Sequence, residues 1–221
     1  MSAIVGPLVV KDLYLLRWAI AGALAGGLAA LALMPAGGLL TYVAGVSLIC
    51  ALVILNIVVV LYGVAQERRE RMLVFVLSLP VSPLEVTLSK VAASLIAFGV
   101  PWLVLTGATV ALIGATELPD GILPFWLALL AYLFLYFCAL LAVGLTKSSN
   151  GWNAAAITVG NISVNFVIPL LLALPSVKAN HAGAAAVWSA DVLAIIAAEL
   201  ALGVAVLALA VWRTTRRPDL V

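Results

Sequence analysis

The chain is divided into long apolar stretches separated by short polar segments. The stretches cover residues 18–34, 40–64, 86–113, 122–145, 153–174 and 191–212. Each is close to the roughly 20 apolar residues that an α-helix needs to cross the hydrocarbon core of a bilayer. Only 9% of the residues are charged, against about 25% in a soluble domain. The sequence therefore predicts an all-α polytopic membrane protein, with six transmembrane helices in a single domain over residues 1–221.

Basic residues gather on one side of the predicted bundle. With six crossings both termini share a side, and that side receives Lys11, Arg17, Arg68, Arg69, Arg71, Lys90, Lys147, Arg213, Arg216 and Arg217. The other side receives only Lys178. Because lysine and arginine are enriched in cytoplasmic loops, we expect cytoplasmic N- and C-termini and a multi-pass protein of the cell (cytoplasmic or inner) membrane.

Residues 2–17 precede the first apolar stretch. Val5, Val9 and Leu16 fall along one helical face. Lys11 and Arg17 fall along another. This pattern predicts a short interfacial helix lying in the plane of the membrane surface, with an irregular lead-in as the alternative.

Residues 66–90 are the most charged part of the chain and connect the second and third spans. Ser82-Pro83-Leu84-Glu85 reads as a capping box with proline at the first helical position. Pro80 disfavours helix at the residue before it. The segment is therefore expected to form a charged helix over about 67–78, a break at 79–81 and a new helix from Pro83. This arrangement predicts a cytoplasmic hairpin that suits docking.

Several function classes lack support in the sequence. Cys50 and Cys138 lie inside predicted spans, where packing is their expected role, so neither a disulfide framework nor a metal site is predicted. The net charge of +2 and the absence of a basic patch argue against nucleic acid. The sequence contains no phosphate-binding loop and no catalytic motif of an intramembrane protease or hydrolase, so we expect a protein that is not itself an enzyme.

The hairpin carries a recognisable order of residues. An acidic helix is followed by a leucine-rich run and then by a proline-serine-glutamate-lysine pattern. The matching residues are Glu67, Glu70, Leu73, the run Leu77-Ser78-Leu79-Pro80-Val81-Ser82-Pro83, Glu85 and Lys90. Together with the six spans, this order resembles the membrane (permease) subunit of ATP-binding-cassette (ABC) type-2 exporters.

The resemblance implies that the hairpin is a coupling helix docking on a separate ABC ATPase, which would bind ATP and Mg, leaving no cofactor in this chain. The ATPase-coupling residues would be Glu67, Arg68, Glu70, Arg71, Pro80, Ser82, Pro83, Glu85 and Lys90. It also implies a second permease chain, identical or a related paralogue, with the pathway between spans two and five of the two halves. The alternative for the charged residues is a solvated helix, in which Glu67 and Arg71 pair along one face.

Three amides lie inside the apolar spans. Asn161 and Asn165 are four residues apart and so share one helical face, while Asn56 lies near the middle of span two. A polar amide facing lipid is costly, so these side chains are expected to face protein or a wet cavity. They are candidates to line a substrate pathway, and hydrogen bonding between helices is the alternative.

Glu199 is an ionisable residue inside span six. Such a group can be a proton relay or a substrate contact, or a packing residue held by hydrogen bonds. One alternative to the exporter is therefore an ion-coupled transporter that uses Glu199. The other follows from resemblance, because the haem-exporter-type membrane subunit of cytochrome maturation is similar in length and number of spans.

Overall fold

Backbone N–H and C=O groups find no water inside a bilayer, so a chain this apolar must satisfy them within helices. A computed structural model describes residues 5–65, 83–147 and 149–216, and within these ranges the chain forms helices and turns and no β-strand. Six of the helices are long and apolar enough to cross a membrane. The predicted fold class, an all-α polytopic membrane protein, is confirmed.

Five of the six long helices follow the predicted apolar stretches closely, and the first begins well before residue 18. They are α1 (Val5–Leu33), α2 (Gly38–Val60), α3 (Pro83–Ala115), α4 (Leu123–Thr146), α5 (Asn150–Ala173) and α7 (Ala190–Arg216), and a short α6 (Pro175–Asn180) precedes the last. A 3-10 turn at Met34–Ala36 separates α1 from α2. Gly37 and Gly38 follow it with φ of +76° and +57°, a conformation that favours glycine.

The start of α3 agrees with the sequence prediction. The helix begins at Pro83, where a proline at the first position loses no hydrogen bond. The rest of the predicted hairpin, including the charged helix, the break and the Ser82 cap, lies in residues 66–82, outside the described residues.

The separate interfacial helix predicted over residues 2–17 is wrong for its described part. α1 runs without a break from Val5 to Leu33, so this segment continues the first span instead of lying across it. The physical reason is packing, because Asp12 and Leu16 are both buried. At 1.5 Å per residue α1 is about 43 Å long, more than the roughly 30 Å of the hydrocarbon core.

Helices α1 and α3 form a parallel pair. Lys90 Nζ donates to Asp12 Oδ2 at 2.8 Å, and further along the pair Leu105 packs against the bare backbone of Gly27. Both pairs of residues are 78 positions apart in the chain. The two helices therefore keep one register over four turns.

Helix α4 is the centre of the bundle. It packs against α2, α3, α5 and α7, with the most extensive contact to α7. Its most apolar stretch is 67% buried, against 11% for the corresponding stretch of α7. Glycines allow the close approaches, since Gly144 lies against Val60 of α2, and Gly203 of α7 lies against Leu135 and Cys138.

The two ends of the bundle differ in charge. We call the end that holds the start of α1 and the end of α7 the termini end, and the opposite end the loop end. Among the described residues, Lys11, Arg17, Lys90, Lys147, Arg213 and Arg216 lie near the termini end and Lys178 lies at the loop end. Three of these basic groups lie over aromatic rings, at Tyr14, Trp152 and Trp212, as expected for side chains at a membrane interface.

The α4–α5 contact depends on Gly160, whose missing side chain leaves room for the ring of Tyr136. We expect Gly160→Ala to destabilise the protein by about 1–3 kcal/mol, because the added methyl group overlaps a rigid ring. The measurement is the apparent melting temperature in detergent, followed by size-exclusion chromatography. Gly151→Ala in the same helix is the control, since its added methyl group meets only ordinary contact with Ser149. Equal melting temperatures for the two variants would contradict this packing.

Candidate functional site

A buried ion pair lies at the termini end between α1 and α3. The Asp12 side chain is 3% exposed and the Lys90 side chain 14% exposed, and their charged atoms are 2.8 Å apart. Lys11 Nζ lies 3.4 Å from the other carboxylate oxygen and is half exposed. The carboxylate therefore has one buried and one exposed cationic neighbour, and the buried one fixes α3 against α1.

Buried polar side chains precede and follow Lys90 on α3. Thr87, Ser89 and Ser94 are all buried, and the Ser89 hydroxyl donates to the Val86 carbonyl at 2.8 Å. A hydroxyl that bonds to its own helix can be buried at little cost. The first turns of α3 are thus more polar than the rest of its buried surface.

The end of α2 also lies at the termini end of the bundle, close to α1 and α3. The helix finishes in a π turn at Leu61–Ala65, a form of helix that is frequent at functional sites. Within this turn Gly63 lies beside Leu16 of α1 and Ser94 of α3. Helices α1, α2 and α3 therefore meet near the termini end of the bundle. Residues 66–82 begin there, after the π turn, and end there, before Pro83.

The residues expected to couple to an ATPase fall on both sides of the described boundary. Glu67, Arg68, Glu70, Arg71, Pro80 and Ser82 lie outside the described residues. Pro83 begins α3, the half-buried Glu85 lies in its first turn, and Lys90 lies in its second turn. The structure thus places the last two beside the convergence of α1, α2 and α3.

A chain of hydrogen bonds joins α4 to α5 in the middle of the bundle. The Tyr132 hydroxyl donates to Ser163 Oγ at 2.5 Å, and Ser163 donates to the Gly160 carbonyl at 2.7 Å. One turn away, the Tyr136 hydroxyl lies 3.5 Å from Asn161 Oδ1. These contacts satisfy polar groups that lipid would leave unpaired.

The candidate pathway residues are not gathered into one site within a single chain. Asn165 is exposed, and its amide donates to the Asn161 carbonyl at 2.8 Å. Asn56 is 1% exposed, and neither its nitrogen nor its oxygen has a partner among the described residues. Helices α2 and α5 pack against α4 and make no substantial contact with each other. Asn56 therefore belongs to the core, whereas Asn165 belongs to the surface.

Glu199 lies on α7, one turn before the close approach of Gly203 to α4. It is partly buried, and its Oε2 has no hydrogen-bond partner among the described residues. A carboxyl group in this position is costly unless it is protonated or meets a ligand. The described residues contain no group of three or more potential metal ligands.

Sequence reasoning missed Asp12 and the tyrosines of α4. Asp12 was placed in an interfacial helix and given no role, although an acidic residue near the start of α1 and Lys90 near the start of α3 were a possible pair. Tyr132 lies opposite Ser163, and Tyr136 lies opposite Gly160 on the facing helix. The antiparallel α4–α5 register that brings them together is visible only in the structure.

Comparisons with known proteins return no relative. No protein-family model matches the chain, and no curated protein or solved structure matches it significantly.

The ion pair can be tested by a double-mutant cycle. We expect Asp12→Asn to destabilise the protein by about 3 kcal/mol, because it removes the buried carboxylate that the Lys90 ammonium contacts at 2.8 Å. The double variant Asp12→Leu/Lys90→Met should recover most of this loss, since neither charge then remains. Lys11→Gln is the control and should change the apparent melting temperature little, because the Lys11 side chain is half exposed and lies farther from the carboxylate. The cycle is completed by Asp12→Leu alone and Lys90→Met alone, and additive effects of these two single substitutions would rule out a direct interaction.

Proposed function

We propose that this chain is the permease subunit of an ABC exporter, forming half of a substrate pathway that a separate ATPase subunit drives. The observation that carries the proposal is the buried Asp12–Lys90 ion pair. It fixes α1 to the second turn of the helix that leaves residues 66–82. A force on those residues would therefore move α1 and α3 together, which is what a coupling element requires.

The position of residues 66–82 supports this assignment. The chain enters them from the π turn that ends α2 and leaves them at Pro83, both at the termini end. Their charged residues Glu67, Arg68, Glu70 and Arg71 would offer both signs of charge to a soluble partner. ATP and Mg would bind to that partner, so hydrolysis would take place outside this chain.

The surface of α5 supports a second permease chain, either identical or a related paralogue. Four large apolar side chains of this helix, Val159, Ile162, Phe166 and Leu170, are each more than half exposed. Asn165 is exposed beside them in the middle of the helix. Because a polar amide facing lipid is unfavourable, we assign this surface to a pathway between two copies, with α2 of the other copy opposite it.

The charge asymmetry of the two ends supports the orientation. The basic termini end would face the cytoplasm, as the positive-inside rule requires. The protein would then lie in the cell (cytoplasmic or inner) membrane, with residues 66–82 accessible to a cytoplasmic ATPase.

The coupling role is tested with the quadruple variant in which Glu67, Arg68, Glu70 and Arg71 become alanine. We expect loss of the copurifying ATPase and a drop of at least about tenfold in transport-coupled ATP hydrolysis, since about 1.4 kcal/mol of docking energy corresponds to a factor of ten. The measurement is pull-down from membranes followed by an ATPase assay in lipid. The matched control is Glu117→Ala/Asp120→Ala, which removes charges at the loop end.

Two outcomes would contradict the coupling role. One is recovery of the chain from membranes with no nucleotide-binding partner. The other is labelling of an Arg69→Cys variant by a membrane-impermeant thiol reagent added outside intact cells.

Glu199 supports a second candidate function, an ion-coupled transporter. Its Oε2 is buried without a partner among the described residues, and such a group can bind and release a proton. In this case transport would follow a proton gradient and would need no ATPase.

The variant Glu199→Gln distinguishes the exporter from the ion-coupled transporter. We expect this variant to keep ATP-dependent transport within about twofold of the parent if the exporter assignment is right, because glutamine preserves the shape and only removes a titratable proton. Transport is measured in vesicles energised either by ATP or by a pH gradient. Complete loss of gradient-driven transport, with no response to ATP in the parent, would establish the ion-coupled alternative instead.

A further inference from the structure

A cavity of about 200 Å³ lies at the loop end of the bundle, far from the proposed coupling element. Its walls come from α2, α4 and α5, and it is bounded by the 3-10 turn that precedes α4 and by His181. Its lining is almost entirely apolar and aromatic. Tyr42 and Val46 line it and are strongly exposed, so one side of the cavity opens toward the bilayer.

Backbone contacts hold the roof of this cavity in place. The Gly121 amide donates to the Gly183 carbonyl at 3.0 Å, and the Gly183 amide donates to the Asn180 carbonyl at 2.8 Å. Gly121 also lies so close to the Asn180 carbonyl that no other residue type would fit. The cavity is therefore built into the fold at the connections between helices.

Two residues of the lining, Trp126 and His181, each carry a buried polar atom that has no partner among the described residues. Trp126 is only 6% exposed, and its indole Nε1 donates to nothing. His181 Nδ1 is likewise buried and unpaired, although its ring packs edge-to-face on Phe125 at 6.0 Å. The contrast is Trp102 in the same bundle, whose Nε1 donates to the Leu130 carbonyl at 2.8 Å.

An indole N–H can only donate a hydrogen bond, and buried ones usually find an acceptor. An apolar cavity of about 150 Å³ can hold a guest of the size of benzene, so this one has room for part of an alkyl chain and an oxygen atom. At the loop end, near the membrane interface, the available acceptors are the carbonyl oxygens of fatty acids and their esters. The unpaired donor thus selects the chemistry of the occupant.

We propose that this cavity binds an alkyl amphiphile, with its chain among the apolar walls and its carbonyl oxygen accepting a hydrogen bond from Trp126 Nε1. His181 provides a second polar contact beside that oxygen. The remainder of the chain leaves through the open side between Tyr42 and Val46. The site does not depend on the proposed transport function, because it lies within one chain and requires no ATPase.

The test is saturable photolabelling of the purified chain in nanodiscs with a fatty acid that carries a diazirine on its chain. We expect the label on α2, α4 and α5 peptides that line the cavity, and competition by the unlabelled fatty acid and by its methyl ester. An alkane of equal length should compete far less, because it lacks the acceptor. A phospholipid carrying the same diazirine distinguishes the sources, since labelling that the free fatty acid cannot displace identifies a bilayer lipid as the occupant.

Two pairs of variants locate the site. Trp126→Phe removes the donor and should weaken binding roughly 3- to 10-fold, whereas Trp188→Phe, at the same end and outside the lining, should not. Ile168→Trp fills the cavity from α5 and should abolish labelling there, whereas Ala154→Trp, at an exposed position near the start of the same helix, should not. Size-exclusion profiles identify any variant that fails to fold, and the other pair then decides.

The proposal is overturned by labelling that does not saturate, by equal competition from the alkane, or by full labelling of a folded Ile168→Trp variant. Unchanged affinity of a folded Trp126→Phe variant would overturn the assigned hydrogen bond.

Discussion

The requirement that every polar group inside a bilayer find a partner within the protein governs this structure. Backbone groups meet it through helices, and most hydroxyls meet it on their own helix. Thr109, Thr116 and Thr146 each donate to the carbonyl four residues earlier. Polar contacts between helices are therefore few, and each one fixes a particular pair of helices: Asp12 with Lys90 joins α1 to α3, and Tyr132 with Ser163 joins α4 to α5. The other helix contacts around α4 depend on close packing at small residues.

This division gives the bundle two kinds of polar group. Some are satisfied and structural, such as the indole of Trp102. Others are buried without a partner among the described residues, such as the amide of Asn56, the carboxyl of Glu199 and the indole of Trp126. An unpaired buried polar group costs about 1–3 kcal/mol. The unpaired groups therefore mark positions where a ligand, a proton or a second chain can supply the missing interaction. They lie on three different helices, so one chain presents several separate positions and not a single assembled site.

The proposed coupling element and the proposed amphiphile cavity lie at opposite ends of the same helices. The α1–α3 pair and the α2–α4 pair run in parallel between these ends. Gly27 meets Leu105 in the first pair, and Gly144 meets Val60 in the second. Among the described residues, these helices carry a π turn at the end of α2, directly before residues 66–82, and a proline, Pro101, inside α3.

The sequence by itself determined the number of spans, their approximate bounds and the start of α3, because apolar length and a helix-initiating proline are local properties. It also separated the basic end from the other end. It did not determine that α4 is central, that α1 absorbs the N-terminal segment, or that Asp12 meets Lys90. Asn56 and Asn165 looked alike in the sequence, yet one is in the core and the other on the surface. The physical reason is that these helices are apolar on nearly every side, so no stripe of residues marks the inward face. Only the fit of one helix against another, decided by small residues and a few polar pairs, selects that face.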